Sequence, residues 1–397
     1  MLQLDAVQTL ALAGIALFLG YGLCRWVPVL GKYNLPPPVV GGLVFAIAVW
    51  IAHARDTTLF VLDTSLQTPL MIAFFTTIGM NASLRLLKIS GTQVMIFLGL
   101  ASAFAVFQNL LGMAVAVGFD LHPLFGVLAG STTLTGGPAT GLAFAPLFEE
   151  AGVVGAESIA VASAMAGIVL GGLVGGPAIT VMIRRFRLSP SSQQVHAAPD
   201  LETAASAPSE AVREFNALKS IVTLLIAMWL GAWVSGWISA TGITLPAYVG
   251  AMLVGAAIRN LDDRTGWIGL SVPTTDLIGN VCLALFLSVA LMNLKLWELA
   301  GLALPLVLNL VLQVGAVVAF CIVVFRVMGR DYDAAIMGGG FIGFMLGTTA
   351  NAMAVMRALV ERYGAAPRAF LVAPLVGAFF IDFTNALIIT GFINFWS

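Results

Sequence analysis

Gly130-Ser131-Thr132-Thr133-Leu134-Thr135-Gly136-Gly137-Pro138-Ala139-Thr140-Gly141 lies within a long apolar tract, and a smooth helix cannot pass through it. Glycine adds backbone entropy, and proline removes a donor and clashes with the preceding turn. In hydrocarbon, each backbone group left unpaired by such a break costs several kcal/mol. A break is tolerated where the freed groups face protein, water or a ligand. Ser131, Thr132, Thr133 and Thr135 place four hydroxyls beside it. A helix restarting beyond Pro138 aims its positive end at whatever binds there, which suits a carboxylate.

A second stretch has the same design: Gly338-Gly339-Gly340-Phe341-Ile342-Gly343-Phe344-Met345-Leu346-Gly347-Thr348-Thr349-Ala350-Asn351. Its polar cluster, Thr348, Thr349 and Asn351, follows Gly347. Tight helix packing accounts for Gly171-Gly172 and Gly175-Gly176. It does not account for clustered hydroxyls at matching places in two halves of a chain.

The surroundings explain why these breaks matter. Of 397 residues, 60% are hydrophobic and 9% are Asp, Glu, Lys or Arg, with a mean hydropathy of +1.01. A soluble domain carries roughly 25% charged residues. This composition excludes a soluble enzyme, a nucleic-acid binder and a disordered chain, and leaves a polytopic membrane protein. Long continuous apolar runs, not alternation, exclude a transmembrane barrel. About 20 apolar residues cross a bilayer as a helix, and spans are expected near 6–23, 38–52, 69–86, 92–118, 157–183, 217–240, 245–259, 271–293, 299–326 and 367–395. The start, Met1 to Asp5, lacks a basic stretch, so the first run reads as a retained span. Cys24, Cys282 and Cys321 are far apart in apolar context and imply neither disulfides nor a metal site.

Two halves of similar size, 1–183 and 217–397, flank the polar segment 184–216, which reads as a flexible linker. Leu35-Pro36 recurs as Leu245-Pro246, Met80-Asn81 as Met292-Asn293, Asp120 as Asp331, Gly136 as Gly347 and Gly167 as Gly377, all at offsets of 210–212. Five matches in order indicate an internal repeat. With five spans per half, the second half must be inverted relative to the first, a transporter signature. If 123–148 and 332–358 are re-entrant hairpins, all 18 Lys and Arg except Arg55 and Lys295 fall on one side. The positive-inside rule makes that side cytoplasmic. Both termini are then periplasmic and the linker cytoplasmic. The expected fold is all-α, with about ten transmembrane helices in two inverted five-helix repeats, each carrying one hairpin.

Asp382 lies deep in the last span. A carboxylate at that depth costs a few kcal/mol and marks an ion, proton or substrate path. Asn385, three residues on, shares its helix face, and the pair offers hard oxygens that suit Na⁺. Asn81, Asn293, Gln108 and Asn109 are polar groups in or at the ends of spans, explained equally by interhelical bonding or ligand contact. Arg357 is the nearest basic candidate for a substrate carboxylate. No Walker A, HExxH or nucleophile-elbow motif appears, so the chain is not expected to be an enzyme.

Several runs resemble the bacterial sodium/glutamate symporters of the glutamate:sodium symporter type. They are Leu128-Ala129-Gly130-Ser131, Thr135-Gly136-Gly137, Val169-Leu170-Gly171-Gly172-Leu173-Val174-Gly175-Gly176-Pro177, Met292-Asn293-Leu294-Lys295-Leu296-Trp297-Glu298-Leu299-Ala300, and Gly377-Ala378-Phe379-Phe380-Ile381-Asp382 with Asn385. The resemblance implies Na⁺-coupled glutamate uptake across the bacterial inner membrane, a homodimer and an elevator-type movement. No cofactor is implied beyond Na⁺ as coupling ion. On that reading the substrate contacts are Ser131, Thr132, Thr135, Gly136, Gly137, Thr140, Gly347, Thr348, Thr349 and Asn351. Na⁺ is held by Asp382, Asn385, Thr133 and Gly343. The chain departs from the family where a Gly-Gly-His-Gly-Thr-Gly is usual and Gly136-Gly137-Pro138-Ala139-Thr140-Gly141 stands here. Gly340-Phe341-Ile342-Gly343 replaces a common Gly-His-Cys-Gly, and Thr349-Ala350-Asn351 a Thr-Pro-Thr. A Na⁺- or H⁺-coupled carrier of another anionic amino acid or organic carboxylate uses the same parts.

Overall fold

The apolar runs form helices because a backbone in lipid must satisfy its hydrogen bonds internally. In the computed structural model, which describes residues 2–33, 35–55, 57, 60–85, 91–190, 210–242, 245–299 and 301–396, these are α1 (Ala6–Trp26), α2 (Pro28–Lys32), α3 (Pro37–His53), α4 (Gln67–Met80) and α5 (Thr92–Gly118). There follow α6 (Pro123–Val127), α7 (Gly137–Glu150), α8 (Ala156–Phe186), α9 (Glu210–Ser239), α10 (Ala247–Thr265) and α11 (Val272–Met292). The chain ends with α12 (Ala303–Val327), α13 (Tyr332–Met345), α14 (Thr349–Tyr363), α15 (Pro367–Leu375) and α16 (Ile381–Trp396). Prolines open several of them, where a missing N–H costs nothing.

Among the described residues, six helices are long and apolar enough to cross a bilayer: Ala6–Trp26, Thr92–Gly118, Ala156–Phe186, Glu214–Ser239, Val272–Met292 and Ala303–Val327. The molecule is a nearly all-helical multi-pass membrane protein. One exception to the helical expectation is a two-stranded parallel sheet, β1 (Leu2–Leu4) on β2 (Phe60–Leu62), with Leu2 opposite Phe60. Three residues per strand are too few to leave a periodic signal. Helix also reaches into both ends of the expected linker 184–216, since α8 runs to Phe186 and α9 starts at Glu210; residues 191–209 lie outside the described residues.

The helices fall into two groups. In the first, α1, α3, α4, α9, α10 and α11 pack on one another. In the second, α5–α8 and α12–α16 do so around the two broken segments. Small residues allow backbone-to-backbone approach within each group. Gly41 of α3 lies against the backbone at Ala16 of α1, and Gly112 of α5 against Gly126 of α6. A side chain at either place would collide with main chain, so these contacts fix the helix crossings.

Helices α13 and α14 form an antiparallel pair. Gly339, Gly340 and Gly343 of one arm face Leu359, Met356 and Ala352 of the other in reversed order. A link of three residues turns the chain between them.

Candidate functional site

The first break is a π-helical turn, Leu128–Thr132, in which Gly130 leaves helical geometry at φ −104° and ψ −128°. The helix resumes at α7, where Gly137 has φ +70°. That left-handed conformation is one glycine adopts without a Cβ clash. A Cβ at Gly137 would also sit 3.2 Å from Thr348 Cγ2, so the two broken segments meet here. On the other side, Thr348 caps α14 and accepts the Asn351 N–H.

A third irregularity, the π-helical turn Val376–Phe380, precedes α16. It frees the Gly377 carbonyl, which accepts the Thr349 hydroxyl at 2.9 Å. Each break is thus bonded to a neighbour, as a buried backbone requires.

Between the two helix groups lies a cavity of about 610 Å³, within the roughly 300–1,000 Å³ range of small-molecule sites. Its two walls differ. The second group contributes Thr135, Gly136, Thr140, Thr348, Thr349 and Asp382, so both broken segments and the last helix converge on one space. The first group contributes mostly apolar side chains, among them Phe74, Phe75, Leu283 and Leu287, relieved by Tyr21 and Asn280.

Asp382 is half-buried on this wall. Among the described residues no ion pair reaches it, and no Lys, Arg or His lines the cavity. A carboxylate so placed attracts a cation. The first turns of α7 and α14 bring helix N-termini to the same space, and these attract anions. A zwitterionic or ion-accompanied carboxylate fits both demands.

The other expected contacts lie behind the wall. Ser131, Thr132 and Thr133 are completely buried and off the cavity. Thr133 donates to the Leu128 carbonyl at 2.8 Å. Gly137 and Gly347 support the tips without facing the cavity. Asn351 turns back, donating to the Ile168 carbonyl at 3.1 Å and to the Gly343 carbonyl at 3.4 Å. Asn385 donates to the Ser131 carbonyl at 2.9 Å, tying α16 to the first break.

Gln108 and Asn109 belong to this centre. Gln108 accepts the Thr135 hydroxyl at 2.7 Å and donates to the Met345 carbonyl at 2.9 Å, strapping the two broken segments together. Asn109 accepts the Ser131 N–H at 2.9 Å. Asn81 and Asn293 lie elsewhere, capping the C-termini of α4 and α11, where Asn81 donates to Asp276 at 2.5 Å. Arg357 is exposed and absent from the cavity.

Two further amides went unremarked in the sequence. Asn309 donates to the Ala129 carbonyl at 2.7 Å, and Gln313 to the Gln108 carbonyl at 2.8 Å. Both are fully buried in α12. Their spacing of four within an apolar helix was the available signal, since it puts two costly amides on one face.

Broken helices meeting around a cavity inside a multi-pass helical membrane protein define a secondary transporter, not an enzyme. A family model described as sodium/glutamate symporter matches residues 2–365. A sodium/glutamate symporter of Haemophilus influenzae is 38% identical over 388 residues, covering 96% of this chain and 95% of that one. One of Escherichia coli is 40% identical over 397 residues, covering 98% and 97%. The chain belongs to the sodium/glutamate symporter family.

Proposed function

We propose that this protein takes up glutamate in symport with Na⁺ across a bacterial inner membrane. The observation that carries the proposal is the two-walled cavity, in which an unpaired Asp382 faces the N-terminal ends of α7 and α14. Thr140 and Thr348, with the N–H groups of the restarted helices, hold the substrate carboxylates, while Thr135 and Thr349, whose hydroxyls donate to Gln108 and to the Gly377 carbonyl, shape the tips that present them. Ser131, Thr132, Gly136, Gly137, Gly347 and Asn351 build and stiffen that site. Asp382 draws the coupling cation, with Asn385, Thr133 and Gly343 as its proposed further oxygen ligands. Hard carboxylate, amide and hydroxyl oxygens fit Na⁺.

The proposed architecture is ten spans in two inverted repeats, 1–183 and 217–397, joined by a cytoplasmic linker, with periplasmic termini. The segments 123–148 and 332–358 enter as re-entrant hairpins from opposite faces. In support, the order α3, α4, α5 and a broken segment recurs as α10, α11, α12 and a broken segment. The polar wall belongs wholly to one helix group. An elevator movement, with that group carrying the site past the other in a homodimer, uses this division.

The test is uptake of radiolabelled L-glutamate into proteoliposomes under an imposed Na⁺ gradient, against an equal K⁺ gradient. Uptake that requires Na⁺ is the expected result. If folded protein takes up no glutamate in either gradient, the substrate assignment falls.

A further inference from the structure

Glutamate carries two carboxylates, and the polar wall of the cavity is fully equipped for one. At α14, Thr348 lines the cavity, and the N–H groups of Thr349 and Ala350 meet no carbonyl. Donors converging at a helix N-terminus make a complete cradle for an anion. The start of α7 is poorer. Pro138 has no N–H, and Gly136 already gives its own to the Ser131 carbonyl at 3.0 Å. Gly137 does not line the cavity. The Ala139 N–H and the Thr140 hydroxyl are what α7 has left to give. No Lys, Arg or His lines the cavity to make up the difference.

The opposite wall holds the missing donors. Tyr21 of α1 and Asn280 of α11 are the polar side chains that the first helix group brings to the cavity. Their two helices pack on each other. Tyr21 is 53% exposed, and Asn280 is exposed as well. Among the described residues neither side chain takes part in a hydrogen bond; the Tyr21 ring rests 6.3 Å from that of Phe18. An amide in a membrane-spanning helix is costly unless it finds a partner. The wall around it, with Phe74, Phe75, Leu283 and Leu287, offers none. Donors that the fold does not use, set across the cavity from Asp382 and Thr348, are open to a ligand.

We infer that Tyr21 and Asn280 are specificity-determining residues, which bind the second carboxylate of an acidic amino acid from the apolar wall. The inference rests on the reading of the protein as a glutamate symporter with the proposed topology. A phenol O–H and an amide N–H are neutral donors. Their bonds to a carboxylate exceed those between neutral groups, yet they lack the full charge of a guanidinium, so the grip is selective and still reversible. Tyr21 lies in the last two turns of α1 and Asn280 in the third turn of α11. Both helix ends belong to the side rich in Lys and Arg. In an elevator movement the second group carries Thr348 and Asp382 past these residues, which stay behind with the first. The second carboxylate is therefore held only while the site stands at the cytoplasmic face. There the acidic side chain is read by a contact that is absent at the periplasmic face.

The experiment compares the KM for L-glutamate at the two faces in saturating Na⁺, for the wild type, Tyr21→Phe and Asn280→Leu. Right-side-out membrane vesicles present the periplasmic face, and inverted vesicles the cytoplasmic one. Both replacements keep the side-chain size, and neither cuts a hydrogen bond within the fold. L-Glutamine, which keeps the shape and lacks the second charge, is the competitor in each assay. Each variant should raise KM about tenfold in inverted vesicles and leave it near the wild-type value in right-side-out ones. The preference for glutamate over glutamine should narrow at the cytoplasmic face alone. An unchanged KM in inverted vesicles would overturn the inference. So would an equal rise at both faces, which would make the two residues supports of the site wherever it stands. A wild type that takes up no glutamate from either face would instead bring down the symport reading, and the inference with it.

Discussion

Replacing Gln108 by Met tests whether the two broken segments are held as one unit. Methionine has nearly the volume of glutamine, so little cavity is created. What is lost is specific: the Thr135 hydroxyl loses an acceptor at 2.7 Å and the Met345 carbonyl loses a donor at 2.9 Å. A buried group left unsatisfied costs about 1–3 kcal/mol. The Met345 carbonyl pays this in full. Thr135 pays less, because its hydroxyl also reaches the Met345 sulfur at 3.6 Å. The expected destabilisation is about 2–4 kcal/mol. Denaturant unfolding in detergent should be measured for Gln108→Met, Thr135→Val and the double variant. Because both single changes cut the same bond, the double should fall short of their sum by about 1 kcal/mol. Uptake by Gln108→Met should show a raised KM, as the tips no longer present their hydroxyls together. Strict additivity, or a cost for Gln108→Met under about 1 kcal/mol, would refute the strap.

Four other outcomes are expected. Gly137→Ala forces an L-residue to φ +70° at a cost of about 1–2 kcal/mol, so its unfolding midpoint and uptake should both drop. Asp382→Asn should lose the Na⁺ dependence of uptake; transport with unchanged Na⁺ dependence would remove Asp382 from the ion site. Arg357→Ala should leave KM and stability unaltered, since that side chain is exposed and off the cavity. At the end of α10, beyond the apolar stretch 245–259, burial opposes ionisation of Asp262. The N–H groups of Leu270, Gly269 and Ile268, helped by Arg259, outweigh it and hold the carboxyl below its usual range. A depressed folded pKa stabilises above the unfolded value of about 3.9 and is lost as pH falls through the folded one. Hydrogen exchange in loop 266–271 should therefore accelerate on acidification below about pH 4, and Asp262→Asn should abolish that pH dependence.

Helix positions were legible because lipid leaves a backbone so few options: Thr92–Gly118 forms almost where its apolar run lies. The breaks were legible for the converse reason, since Gly136-Gly137-Pro138 can do nothing else in that setting. Side-chain direction was not. A π-helical turn rotates successive residues away from helical spacing, so Ser131 and Thr132 look inward while Thr135 reaches the cavity. Phe74 and Leu283, on the apolar wall, carry no mark that separates a cavity-facing residue from a lipid-facing one. The wide turn at Val376–Phe380 holds one glycine and no proline, and gave no warning.

The unequal walls of the cavity bear on what a blocker of this protein should look like. A molecule that copies the substrate's charges competes chiefly for the face carrying Thr135, Thr348 and Asp382, and must match its bonds one by one. A greasy, shape-filling molecule seated against Phe74, Phe75, Leu283 and Leu287 meets a surface with few hydrogen-bond partners to satisfy. Such a wedge acts on the joint between the two helix groups, and its grip should be indifferent to substrate stereochemistry and to salt.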